Sequence, residues 1–250
     1  MKKHILILCI VALFIPKIHS QQIVLKEHSI SLDKKQSDAW SVELNEDQDL
    51  VMKGFHRYMK DKYDVTPSKK NKTTFTYNQV VIPPISQKAG DLKGLIHMDD
   101  NGLFLSISFF FGYDIYVNYE EYPEEMDGLR ELLLDFIVDL RANAYKEEIA
   151  EDEKRLAKMS AQLSKSEKTV ESVSKQLEKT SKSLLKADEK NEKDELFDLN
   201  NKKTELEGEL ATEKQLISNL QSEIDQVSGF LKMNKDNLTR LQMEAVELRQ

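Results

Sequence analysis

The chain has 250 residues, with 36 basic and 44 acidic side chains and a net charge of −8. Charged residues make up 32%, and only 8 glycines and 5 prolines occur, which excludes collagen-like and Pro/Gly-rich disordered chains. The acidic balance argues against a nucleic-acid binder, which would present a basic face. No apolar run reaches the roughly 18 residues of a membrane-spanning helix.

Residues 1–20 read as a secretory signal. Lys2 and Lys3 form a positive start, an apolar run follows from Ile5 to Ile15, and Ser20 is a small residue at a plausible cleavage point. The mature protein is therefore expected in the periplasm or outside the cell, with no transmembrane span after cleavage. The single cysteine, Cys9, lies in the apolar run. Its removal excludes a disulfide framework, a thiol nucleophile and a cysteine metal site together.

Composition changes near residue 145. Before it lie the remaining prolines, Trp40 and most aromatics; after it there is no proline and a dense Glu/Lys/Leu/Ser background. The expected domains are a globular unit over 21–145 and a coiled-coil region over 146–250. The acidity is spread over both, with 14 basic and 21 acidic side chains in the first part and 19 and 23 in the second.

In the globular unit, Ile23 to Leu32 is rich in Ile, Val and Leu and predicts a strand. Asn45 can cap a helix whose first turn carries Glu46, Asp47 and Asp49, where carboxylates suit the helix dipole. Val51, Phe55, Tyr58 and Met59 then form one apolar stripe. Thr73 to Ile82 predicts a second strand, stopped by Pro83-Pro84. Asn101-Gly102, a preferred type I′ pair, predicts a two-residue hairpin turn. That turn sets Met98 opposite Leu105, Ile96 opposite Ile107, Gly94 opposite Phe109 and Leu92 opposite Phe111, one apolar face. The odd-numbered pattern continues through Tyr113, Ile115 and Val117, as one strand bent at Gly112 or as two strands. Pro123 opens a helix with a buried stripe of Leu129, Leu133, Phe136 and Leu140. The expected fold class is α+β, an antiparallel sheet with two covering helices, followed by a long α-helical coiled coil.

Beyond residue 145 a seven-residue repeat runs through Ile149, Leu156, Leu163, Val170, Leu177 and Leu184, with weaker partners at Asp152, Met159, Ser166, Val173, Thr180 and Ala187. A second runs through Leu196, Lys203, Leu210, Ile217, Ile224, Leu231, Leu238 and Ala245, partnered by Leu199, Leu206, Glu213, Leu220, Val227, Asn234, Leu241 and Leu248. Apolar spacing of seven sustained this long predicts a coiled coil. The two frames are out of phase across the polar segment 188–195, so two arrangements compete. Either the chain folds back there into an antiparallel hairpin, or it continues as a rod roughly 150 Å long at about 1.5 Å per residue and pairs with a second chain. Folding about Asn191–Glu192 pairs Leu177 with Leu206, Leu163 with Leu220 and Leu156 with Val227, and leaves a short polar connection. This favours the hairpin, although no Gly or Pro marks the turn.

Candidate chemistry is sparse. His28, His56 and His97 have no partner at a metal-ligand spacing such as H-E-x-x-H. Asp99-Asp100-Asn101-Gly102 resembles a fragment of a calcium loop but lacks the twelfth-position ligand and reads as a turn. Glu120-Glu121 and Glu124-Glu125 bracket a helix start, where acidic residues are structurally favoured. No nucleophile elbow, P-loop or dinucleotide fingerprint is present. Phe109-Phe110-Phe111 places Phe110 on the less apolar hairpin face. Asn71-Lys72-Thr73 and Asn237-Leu238-Thr239 fit the glycosylation sequon.

No catalytic residue, metal ligand or cofactor is assigned. The expected function is that of an exported, non-enzymatic structural or interaction protein, its coiled coil holding a protein partner or a second copy. The alternative is a small-molecule or lipid-binding module whose cavity would be lined by Leu105, Ile107, Phe109, Phe136 and Leu140.

Overall fold

The computed structural model describes residues 22–32, 35–99, 102–112, 115–190 and 192–250. The expected leader and Asn101 of the expected turn lie outside the described residues. The chain forms two compact units: residues up to Arg141 together with Leu241–Gln250, and Ala142–Arg240.

The first unit is built on an antiparallel sheet of seven strands: β1 (Leu25–Leu32), β2 (Lys35–Leu44), β3 (Lys69–Lys70), β4 (Thr74–Ile82), β5 (Ser86–Asp99), β6 (Gly102–Gly112) and β7 (Ile115–Tyr116). The order is β1-β2-β6-β5-β4-β3, with β7 also on β6. Strand β2 has no counterpart among the expected elements. Its large residues Trp40 and Val42 pair with Ile107 and Leu105, while Ser37, Ala39 and Ser41 occupy the opposite face. That alternation of large with small side chains is a strand signature hidden by its polarity.

The β5–β6 hairpin forms, but its register differs by two residues from the expected one. Asp99 pairs with Gly102, Met98 with Leu103, Ile96 with Leu105 and Leu92 with Phe109. Gly102 is thus the first residue of β6, at φ +142°, a conformation that side chains rarely adopt. A two-residue slip keeps every side chain on its expected face, because strand periodicity is two. The segment after Gly112 forms a second strand: β7 pairs back on β6, with Ile115 opposite Gly112 and Tyr116 opposite Phe110.

Helix α1 (Gln48–Tyr63) buries the expected Val51, Phe55, Tyr58 and Met59. Its cap is Asp47 and not Asn45: Asp47 Oδ1 accepts from the amides of Asp49 and Leu50 at 2.9 and 3.3 Å. The helix starts two residues later because Glu46 lies outside the first turn and its carboxylate meets Arg141. Phe55 packs on Phe75 of β4 at 4.8 Å between ring centroids and on Phe136 at 4.9 Å. Phe136 belongs to α2 (Pro123–Lys190), whose Met126, Leu129, Leu132, Leu133, Leu134, Ile137 and Leu140 are also buried. Burial on nearly every side over these turns marks a core helix.

The second unit contains the rest of α2 and most of α3 (Lys193–Glu247), joined through Asn191–Glu192. Here burial falls to one stripe. Met159, Ser166, Val173, Thr180 and Ala187 are buried on α2, every seventh residue, and Leu206, Leu220, Val227 and Asn234 on α3. The alternate positions Leu156, Leu163, Val170, Leu177 and Leu184 are half-buried, as are Leu210, Ile217, Ile224 and Leu231. Glu153 and Lys235, far apart in sequence, meet in an ion pair at 2.8 Å.

Two glycines give opposite expectations. A Cβ on Gly94 would lie 1.9 Å from the Phe75 ring, while one on Gly208, in α3, meets nothing within 4 Å. Gly94→Ala should cost about 1–3 kcal/mol by overpacking. Gly208→Ala should stabilise its helix by up to about 1 kcal/mol. Urea denaturation of the two variants beside the wild type measures both.

Candidate functional site

One sheet face carries Phe75, whose ring meets Phe55 of α1. The other gathers small polar residues and two of the three candidate histidines. His28 on β1 and His97 on β5 are separated by β2 and β6, which in a flat sheet would hold them about 14 Å apart. Their ring centroids are 6.2 Å apart. Leu95 of β5 likewise packs on Ile30 and Ala39 of β1 and β2. The sheet is therefore strongly coiled, with this face concave. Ser37, Ala39, Ser41, Ser106 and Ser108 form its buried floor, and larger side chains there would prevent the closure. Ser41 Oγ lies 2.6 Å from Ser106 Oγ and 3.2 Å from His28 Nδ1, and His97 stacks on Phe104. With Ser41 only 1% exposed, its hydroxyl serves packing and hydrogen bonding and is closed to a substrate. Phe110, between Lys93 and Tyr116, joins the same face.

The third histidine is elsewhere. His56 Nδ1 is 2.6 Å from the Tyr77 hydroxyl and its ring packs edge-on against Phe75. Burial, helped by the Lys70 charge, holds its pKa below the ordinary histidine value, so the neutral ring is favoured. Burial also pushes the Tyr77 phenol up. Glu120, Glu121 and Glu124 are exposed, with Glu124 and Glu125 in the first turn of α2 as the dipole favours. Asn71 Oδ1 accepts from the Thr73 and Thr74 amides at 2.8 and 2.7 Å, an Asx turn leading into β4. Asn237 lies in α3 and accepts from Arg240. Leu105, Ile107, Phe109, Phe136 and Leu140 are all buried, within the core that Phe55 and Phe75 fill. Among the described residues, no three His, Cys, Asp or Glu side chains stand close enough to hold a metal ion. No helix there is long and apolar enough to cross a membrane.

Ion pairs that no sequence periodicity announces tie the first unit together. Arg141 Nε donates to Glu46 Oε1 at 2.8 Å, with the two side chains 6% and 15% exposed. Asp135 on α2 binds Lys62 of α1 at 2.6 Å and Arg249 near the end of the chain. Arg249 also reaches Glu131 at 3.5 Å. Arg130 donates to the Leu248 carbonyl, with its guanidinium 5.9 Å from the Trp40 ring centroid. The Ile23 amide donates to Glu244 at 2.5 Å, and Leu241 and Ala245 are buried. The last ten residues are thus held to the sheet unit by charge as well as by apolar contact.

The second unit offers its stripe and two large apolar side chains outside it. Leu185 and Phe197, on either side of the helix connection, are 67% and 68% exposed. Both fall one residue after a seam position, Leu184 and Leu196. No protein family, curated protein or solved structure matches the chain.

Two expectations follow for the ion pairs. Removing Glu46 would take a carboxylate partner from the buried Arg141 guanidinium, so Glu46→Ala should lower stability in urea denaturation. Burial alone would raise the Asp135 pKa, but Lys62 and Arg249 outweigh it and hold the carboxyl below the usual range. A depressed folded value stabilises above the unfolded carboxyl pKa of about 3.9 and is lost as pH falls through the folded value. Asp135→Asn should therefore melt lower than wild type at pH 7, and the gap should close towards pH 3.

Proposed function

We propose that the chain is an exported, non-enzymatic structural or interaction protein. Its α+β head would have α1 and the first turns of α2 covering the core face of the sheet. It would carry an antiparallel coiled-coil hairpin in which α3 returns along α2. The observation that carries this reading is the seam: burial recurs every seventh residue along both helices, at positions the repeats select. The Glu153–Lys235 ion pair supports the antiparallel sense. At about 1.5 Å per residue, arms of some 48 residues span roughly 70 Å, a length suited to presenting a binding surface to a protein partner. The packed aromatic core beneath α1 favours this reading over a ligand cavity on that face.

Circular dichroism and sedimentation of the mature chain test the proposal. High helicity with a monomer mass is expected; low helicity over 142–240 overturns it, and a stable dimer replaces the hairpin with a paired rod. Val173→Asp, which buries a charge in the seam, should remove much of the 222 nm signal while the near-ultraviolet signal of Trp40 persists.

A further inference from the structure

Near its start the second unit has a polar layer that interrupts the apolar stripe. Asn234 of α3 is 3% exposed, between the buried Val227 and Leu241 at the neighbouring seven-residue positions. It interacts with Glu148 of α2. Asn234 Oδ1 and Glu148 Oε2 are each buried without a hydrogen-bond partner. One turn on, Asp152 occupies a seam position and is half-buried. Two carboxyl groups four residues apart on a helix are neighbours and repel when both are charged.

We propose that Glu148, Asp152 and Asn234 form an acid-tightened clasp, which closes the paired arms more firmly when the carboxyl groups are protonated. An inference resting on the coiled-coil reading, it follows from the donor and acceptor inventory. A protonated Glu148 donates to Asn234 Oδ1 and satisfies both buried oxygens, whereas the carboxylate accepts only from the Asn234 amide nitrogen. Asn234 therefore serves either state, and the repulsion between Glu148 and Asp152 is present only in the charged one. The charged groups around the pair are Glu151 and Arg155 on α2, with Lys235 on α3 already bound to Glu153 at 2.8 Å. Burial first, then Asp152 and Glu151, push the Glu148 pKa up and outweigh the Asn234 hydrogen bond, which lowers it. Burial also raises Asp152, opposed by Arg155 and reinforced by Glu151. A folded value above the unfolded one means that the charged form weakens the closed state. The closed arms consequently gain stability as pH falls through the folded values, and the gain is complete below the ordinary carboxyl range.

Hydrogen exchange of the full chain at pH 8 and pH 4, corrected for intrinsic rates, reads this locally. In peptides covering 142–160 and 225–240, wild-type protection should rise at pH 4. Glu148→Gln/Asp152→Asn, which mimics the neutral layer, should show the high protection at both values. Wild-type protection that is present but unchanged or lower at pH 4 overturns the clasp and leaves the coiled coil standing, as does a double variant that retains the pH response. Absence of protection in these peptides at either pH overturns the coiled coil and the clasp together.

Discussion

The continuity of α2 is the constraint on which the rest of the molecule depends. From Pro123 to Lys190 the helix has no break, yet its side chains face two different environments. Over residues 126–141 it is buried on nearly every side, with Phe136 on the Phe55 ring of α1, and Gly128 comes so close to Pro84 that a Cβ would lie 2.0 Å from the proline carbonyl. Beyond residue 142 only one stripe is shielded. The early turns of α2 are held by aromatic packing worth far more than helix propensity.

The return of α3 to the first unit imposes a second requirement. A helix end left unpaired exposes carbonyls and dipole charge, and here the Leu248 carbonyl meets Arg130 while Arg249 finds Asp135 and Glu131. Lys62 completes this cluster from α1, with its ammonium also 5.2 Å from the Tyr58 ring centroid. Arg141 lies deeper, and its partner Glu46 leaves the first turn of α1, displacing the cap to Asp47. The charges here are chosen for position, since each joins segments distant in sequence.

Patterns that repeat were legible in the sequence; contacts that occur once were not. The stripes of α1 and of early α2, the β5–β6 hairpin and the burial of every seventh residue from Met159 to Ala187 all follow from local spacing, and the register slip at Gly102 left the faces unchanged. Strand β2 was missed because its serines disguise the alternation of Trp40, Val42 and Leu44. The approach of His28 to His97 was also hidden, because it arises from sheet coiling, which depends on the summed volume of five small residues on two strands. The Asp135 cluster draws its members from residues 62, 135 and 249, and no window reading can associate them. The expectation of export rests on residues outside those described.

Topologically, the Ala142–Arg240 unit interrupts the sheet unit, whose own contributions come from before and after it. On a ribosome the sheet unit is therefore begun before the Ala142–Arg240 unit and completed after it. The sheet is made first but must wait for Leu241–Gln250, across a loop of about 100 residues whose closure by a disordered chain would carry an entropic cost growing as the logarithm of its length. If the intervening helices pair as they emerge, they shorten that loop before the final decapeptide arrives. A defect in the seam would then appear first as slow completion of the sheet unit, far along the chain from the altered residue.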